Sequence, residues 1–505
     1  MLTLKEIFFY AEDSPLIFSQ YLFLFIFSIG FILYGLFYKK PQIRNVYLLL
    51  FSLFFYYKSG GLYFGLLLLS TVVDYWCGNA IHKSNDDVKR RVFLIVSLFV
   101  NLGLLAFFKY SSYFVTLIND FAGTNLETYN FMAAISNFGF GTDFNVSEII
   151  LPVGISFYTF QTLSYTIDIY RRQIEPAKNV VDFGFFVTFF PQLVAGPIVR
   201  AADFIPQIYK KYSLTREQFG MAIYLIMTGL FKKVVISDYI SVNFVDRVFD
   251  DPNLYTGFSN LMAVYGYSIQ IYCDFSGYSD MAIGLAALLG FQLPLNFNSP
   301  YKATSITDFW RRWHISLSTW LRDYLYISVG GNRKGKIRTY INLMITMLLG
   351  GLWHGAATKF IIWGGLHGAA LAIHKLWMRY VPGISRKNTA ISKIVAGVVT
   401  FHFVAFCWIY FRADNVDKVK LMLSRITKHF NWSGIGERLV EYRTPLLLIA
   451  LGFFIHFLPI SWKTRAKEFF ITVPDVAKVL VCAVIIFVCY QAKTADVQPF
   501  IYFQF

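Results

Sequence analysis

The sequence predicts an all-α polytopic membrane protein, and three observations carry that prediction. Of 505 residues, 56% are hydrophobic and 19% aromatic while only 15% are charged, against about 25% charge in an ordinary soluble domain. The mean hydropathy is +0.50. The run from Leu16 to Phe37 holds no charge at all, and it is long enough to cross a hydrocarbon core about 30 Å thick, which takes about 20 apolar residues. This excludes a water-facing globule, a disordered chain and a collagen. Five cysteines (Cys77, Cys273, Cys407, Cys482 and Cys489) form no CxxC pair, so buried thiols are expected rather than a disulfide framework or a zinc ribbon.

The first span follows Glu6, Glu12 and Asp13 instead of a basic segment, so it is expected to stay uncleaved. Further apolar runs near 45–57, 62–80, 92–118, 147–170, 183–199, 219–238, 258–273, 281–293, 340–354, 358–376, 391–412, 444–460 and 475–490 suggest roughly 10 to 13 spans plus re-entrant pieces. They make one integral membrane domain over 1–505. It comprises N-terminal spans (1–145), a core (146–380), and C-terminal spans with an aromatic tail (381–505).

With 46 Lys+Arg against 30 Asp+Glu, the net charge is +16. In a membrane protein this is an orientation signal, because short basic loops stay cytoplasmic, and no nucleic-acid partner is implied. Lys39, Lys40 and Arg44 after the first span predict an external N-terminus, with Ser59-Gly60-Gly61 as an outer turn and Lys83 to Arg91 inside. From Tyr110 through Tyr170 there is no Lys or Arg, yet Asp120, Glu127, Asp143, Glu148 and Asp168 are present, as in an external loop. Arg171, Arg172 and Lys178 mark the return, and Arg333, Lys334, Lys336 and Arg338 a later inner loop.

Between about 150 and 375 the apolar runs contain residues that a plain bundle has no use for. Pro191 to Pro197 (PQLVAGP) sets two prolines and a glycine at membrane depth, where freed backbone groups need protein partners or a watery cavity. Gln270 to Asp280 (QIYCDFSGYSD) places Asp274 and Asp280 in apolar surroundings, and intramembrane ionisable residues are functional candidates. From Ser305, whose spacing to Asp308 matches a capping box, Trp310, Trp313, Leu317, Trp320 and Tyr324 recur at helical spacing. This suggests an interfacial or re-entrant helix with Arg311, His314 and Ser318 on its other stripe.

His354 closes an apolar run that begins after the basic inner loop. About 14 residues at 1.5 Å carry it roughly 21 Å inward. A near copy of its glycine-rich setting follows around His367, and in one straight helix His354 and His367 would face different ways. His82, His402, His429 and His456 are expected to be core or loop residues.

No metal-ligand spacing, P-loop or Gly-x-Ser-x-Gly motif occurs, so metal hydrolysis, nucleotide hydrolysis and hydrolase-type serine chemistry lack support and no metal is expected. A deep imidazole suits removal of a proton from a hydroxyl that attacks an activated acyl group.

Leu151 to Tyr158 (LPVGISFY), Phe190 to Ile198 (FPQLVAGPI), Asp274 to Asp280 (DFSGYSD), Phe309 to Ser318 (FWRRWHISLS) and Leu352 to Gly355 (LWHG) resemble the membrane-bound O-acyltransferase family. The likeness is to its bacterial branch, which includes alginate O-acetylation, peptidoglycan O-acetylation and teichoic acid D-alanylation proteins, and it spans about 45 to 380. The resemblance implies an essential His354 and a second functional His314. It also implies a funnel where a cytoplasmic acyl donor meets an extracytoplasmic acceptor, with Trp313, Arg311, Ser318, Asp274, Asn298 and Trp353 as funnel candidates. The tail Pro499 to Phe505 is similar to the aromatic ending of this branch, and Tyr502 is either an acyl relay at the funnel exit or an interfacial anchor.

The expected donor is acetyl-CoA or an acylated carrier protein, with no bound cofactor. The expected partners are a separate extracytoplasmic O-acetyltransferase and a polysaccharide acceptor, and the expected location is a bacterial cell membrane. D-alanyl transfer from a carrier protein is the alternative enzyme. A transporter is a third reading, weakened by the lack of matching halves.

Overall fold

A computed structural model describes residues 4–11, 14–193, 196–381 and 389–492. The protein is 77% helical, with no strand among the described residues. Among the described residues five helices are long and apolar enough to span a membrane, or six when Ile435–Glu441 and Arg443–Phe457, bent by 87°, are counted as one span. That is fewer than the apolar runs suggested. The central runs either fold into short pieces such as Val180–Thr188 and Phe190–Leu193 or carry the polar residues of the core, as Gly257–Leu288 does. The first of the five spans, Pro41–Lys83, turns at Gly61 (φ 61°), where the sequence places an outer turn.

The basic loops meet one another. Arg44 donates to the carbonyls of Lys210 (3.0 Å) and Ile208. Arg90 donates to Tyr170 O at 2.6 Å and Arg171 to Asp323 O at 3.3 Å. Elements from distant parts of the chain therefore share one basic end, which suits the positive-inside rule.

Arg216–Asp250 packs along Gly257–Leu288. The first of these helices widens into π-turns at Phe231–Asp238 and Ser241–Val245. Lys233 bridges Asp274 (2.6 Å) and Asp238 (2.8 Å), and Lys232 pairs with Asp280 at 2.6 Å. Gln270 to Asp280 lies in the middle of a 32-residue helix, its carboxylates met by lysines of the neighbouring span. Pairing of this kind is what makes buried charge tolerable.

Candidate functional site

The Lys336–His354 helix ends on His354, and the chain turns through Gly355 to Ala357 into Thr358–Tyr380. The two helices form a hairpin in which Gly351 lies so close to its partner that an added Cβ would fall 3.1 Å from Gly364 Cα and overlap the Phe360 carbonyl. Backbone approach at this distance admits only glycine. The near-repeated glycine motif is thus the contact surface of the hairpin. It also corrects the straight-helix picture, because the turn brings His354 and His367 against the same ring, Trp363, at 4.9 and 4.7 Å between centroids.

His354 is buried among Trp353 (5.0 Å), Trp363 and Phe411 (5.3 Å), all edge-on. Its backbone is gripped from the N-terminal spans. Lys109, on Asp87–Ala122, donates to Trp353 O at 2.6 Å and His354 O at 3.1 Å, and Tyr110 donates to Leu352 O at 2.9 Å. A cation here meets both the last carbonyls of the helix and the negative end of its dipole. Lys109 escaped the sequence reading although its signal was plain, a lone lysine inside the apolar run 92–118.

His314 does not lie on one amphipathic helix. Ile306–Trp310 is capped by Ser305 Oγ, which accepts from Asp308 N at 3.1 Å, and ends at the following turn. His314 then takes a left-handed backbone (φ 41°) and Ile315–Trp320 starts afresh. Such a conformation costs a non-glycine residue about 1–3 kcal/mol and persists only where its surroundings impose it. Here they do: Asn298 N donates to Arg312 O and Ile315 N to Asn296 O, both at 2.9 Å, fastening the chain on either side of His314 to the 296–298 segment.

The fully buried His314 ring stands edge-on to Phe275 at 4.6 Å and 6.3 Å from Trp353. Its Nδ1 lies 3.2 Å from Asn296 Oδ1, which also accepts from Ser316 N (3.2 Å) and Ser316 Oγ (2.9 Å). Ser316 Oγ in turn accepts from Ile198 N at 3.0 Å, so the proline-broken segment supports this same network.

The structure therefore brings His314, His354 and Trp353 together. Trp313 is buried nearby, 4.9 Å from Trp408 and 5.1 Å from Phe297. Asp274 lies one residue from Phe275 and is engaged by Lys233. Ser318 donates to Trp313 O at 3.2 Å. Arg311 and Asn298 are exposed. The asparagine at His314 is Asn296, two positions earlier, a matter of backbone register that the sequence does not display. Tyr502 lies outside the described residues.

A cavity of about 670 Å³ opens at the basic end, lined by Asp168, Arg171, Arg200, Asp323 and Tyr324 among others. Arg200 pairs with Asp323 at 2.7 Å, and Tyr324 OH donates to Asp168 at 2.7 Å. From Tyr324 an aromatic run leads inward. Trp320 lies 5.0 Å away and stacks on Phe160 at 3.8 Å and 2°, Phe160 stacks on Trp353 at 5.3 Å, and Trp353 adjoins His354. Trp320 Nε1 donates to Phe160 O at 3.0 Å, fixing the stack.

Comparison with known proteins fits this geometry. Residues 172–412 match the model of the membrane-bound O-acyltransferase family. The chain is 38% identical over 438 residues to a peptidoglycan O-acetyltransferase of Helicobacter pylori, covering 81% of this chain and 79% of that one. The chain belongs to the membrane-bound O-acyltransferase family. This acyltransferase is also 41% identical over 421 residues to a probable alginate O-acetylase of Azotobacter vinelandii, covering 83% and 79% of the two chains. A teichoic acid D-alanyltransferase of Bacillus subtilis is 29% identical over 273 residues, covering 51% and 68%. The present chain is a multi-pass membrane O-acyltransferase, and His314, His354 and Trp353 fall inside the segment that matches the family.

Proposed function

We propose that this O-acyltransferase moves an acetyl group from a cytoplasmic thioester to an acceptor bound for a cell-surface polysaccharide, with His354 as general base and His314 as its companion. The observation that carries the reading is the aromatic run from the arginine-bearing cavity to His354. Arg171 and Arg200 at its mouth suit a donor with anionic groups, and the rings behind them suit an uncharged thioester arm. Acetyl is favoured over D-alanyl because the O-acetylase relatives match about four fifths of the chain and the D-alanyl relative about half.

In this mechanism a ring nitrogen of His354 takes the proton as the acceptor oxygen bonds to the carbonyl carbon. The C–S bond then breaks and the departing thiolate receives that proton. The cell membrane of a bacterium is the setting, and a separate extracytoplasmic transferase completes polymer modification.

The test is O-acetyl content of surface glycans, by mass spectrometry, in cells carrying wild type, His354→Ala or His314→Ala at equal membrane abundance. Loss in both variants supports the assignment. Unchanged acetylation with lost solute flux would point to a transporter instead.

A further inference from the structure

Beside His354, three rings that the mechanism above leaves unused touch one another. Trp310 meets Trp363 at 5.8 Å and His367 at 5.2 Å, and Trp363 meets His367 at 4.7 Å, each pair edge-on. Trp363 and His367 share a helix face at i, i+4 spacing, and Trp310 is the last residue before the turn that leads to His314. All four ring nitrogens, Nε1 of Trp310, Nε1 of Trp363 and both of His367, are buried without a hydrogen-bond partner among the described residues. Phe309, Phe403, Trp408 and Phe411 close around them.

Buried polar groups are almost always paired, and a cluster left open calls for an occupant. An indole nitrogen can only donate and a neutral imidazole carries one donor and one acceptor. Three donors thus lie within one cluster of touching rings beside His354, and what they fit is a small group offering oxygen lone pairs. A cation would meet three donors against a single acceptor, and a full anion would find no fixed positive charge in the three rings. Trp363 stands 4.9 Å from His354, so the occupant sits one ring from the proposed base.

We propose that Trp310, Trp363 and His367 form the subsite that receives the carbonyl oxygen of the transferring acyl group; this rests on the assignment of His354 as base. As the acceptor oxygen bonds to the carbonyl carbon, the C=O π pair moves onto that oxygen, where the N–H groups hold it. Collapse returns the pair to C=O and expels the thiolate, which takes its proton from His354. Donors fixed in a water-poor cage before the charge develops are what makes such sites effective.

The experiment follows the rate of surface O-acetylation in cells carrying the full chain. Trp310 and Trp363 are each replaced by the benzothiophene analogue of tryptophan, which puts sulfur in place of N–H at nearly the same shape. His367→Gln and His367→Leu are run beside them, with His354→Ala as reference and thermal stability of the purified protein measured for each. Loss of one donor is expected to slow transfer about 10²–10³-fold with stability unchanged, and His367→Gln is expected to keep more activity than His367→Leu. Wild-type rates in both analogue proteins, with His354→Ala inactive, would overturn the subsite alone. This is the result that a purely packing role or a resident water would give. Wild-type acetylation in His354→Ala would remove the base and the subsite together.

Discussion

Replacing Lys109 by methionine tests how His354 is held. The ammonium donates to two carbonyls of the last helical turn, Trp353 O at 2.6 Å and His354 O at 3.1 Å. Each buried acceptor left unpaired costs about 1–3 kcal/mol, so the pair costs about 2–6 kcal/mol. Methionine fills similar volume and also removes the desolvation cost of a buried cation, itself several kcal/mol. The two effects oppose each other in the whole protein but not locally, because the unpaired carbonyls belong to the turn that carries the base. A shift of about 1 Å in a reacting group can cost about 10²-fold in rate. Lys109→Met should therefore insert normally and melt near the wild-type temperature in detergent, while O-acetylation falls about 100-fold. Lys109→Arg should recover only part of the rate, since its planar fork cannot repeat the same two contacts. Wild-type acetylation in Lys109→Met would refute the grip, and loss of the protein from the membrane would show that the lysine serves folding instead.

Asn296→Leu removes the acceptor shared by Ser316 N, Ser316 Oγ and His314 Nδ1; at about 1 kcal/mol per bond it should destabilise by about 3 kcal/mol and release His314 from its left-handed backbone, seen as a lower melting temperature together with lost acetylation. Gly351→Ala drives a methyl group into the Phe360 carbonyl and the Gly364 backbone, so the hairpin must part, and thermal melting should fall further than for Gly365→Ala, where Leu348 Cδ2 lies 3.6 Å away. At the cavity mouth, burial opposes the Asp323 carboxylate, but bonds from Arg322 and Arg200 outweigh it and hold its pKa below the usual carboxylate value. A carboxyl depressed in the folded state stabilises above its unfolded pKa of about 3.9 and loses that contribution as pH falls through the folded value. The stability difference between wild type and Asp323→Asn should accordingly stay constant from pH 7 to about 5 and shrink as pH falls below about 4, and a gap that did not change with falling pH would contradict the ion pairing.

Membrane character, the turn at Gly61 and the family likeness could be read from composition, a Ser-Gly-Gly sequence and short motifs, because each depends on residues near one another in sequence. What could not be read depends on register and on distant partners. The helical spacing from Ser305 to Tyr324 is real, yet two hydrogen bonds from the 296–298 segment break the helix at His314. Asp274 looked isolated because Lys233, its counter-ion, is 41 residues earlier, in a π-turn with no sequence signature. Gly351 and Gly364 were visible as a near repeat, but only the hairpin shows that they repeat because they face each other. The Trp310, Trp363 and His367 cluster joins a short helix to the second arm of that hairpin, and neither segment alone suggests it.

The grip of Lys109 also sets an order of events during synthesis. Its nearest hydrogen-bond partner along the chain, Ser156, comes 47 residues later, and the carbonyls of Trp353 and His354 come 244 and 245 residues later. At about 5–20 residues per second the ribosome needs roughly 12–50 s to reach them. Throughout that interval the nascent protein carries an ammonium in an apolar helix with its final acceptors not yet made. The early spans must therefore wait, with this lysine turned to water or to a helper, until the last turn of the His354 helix arrives to receive it.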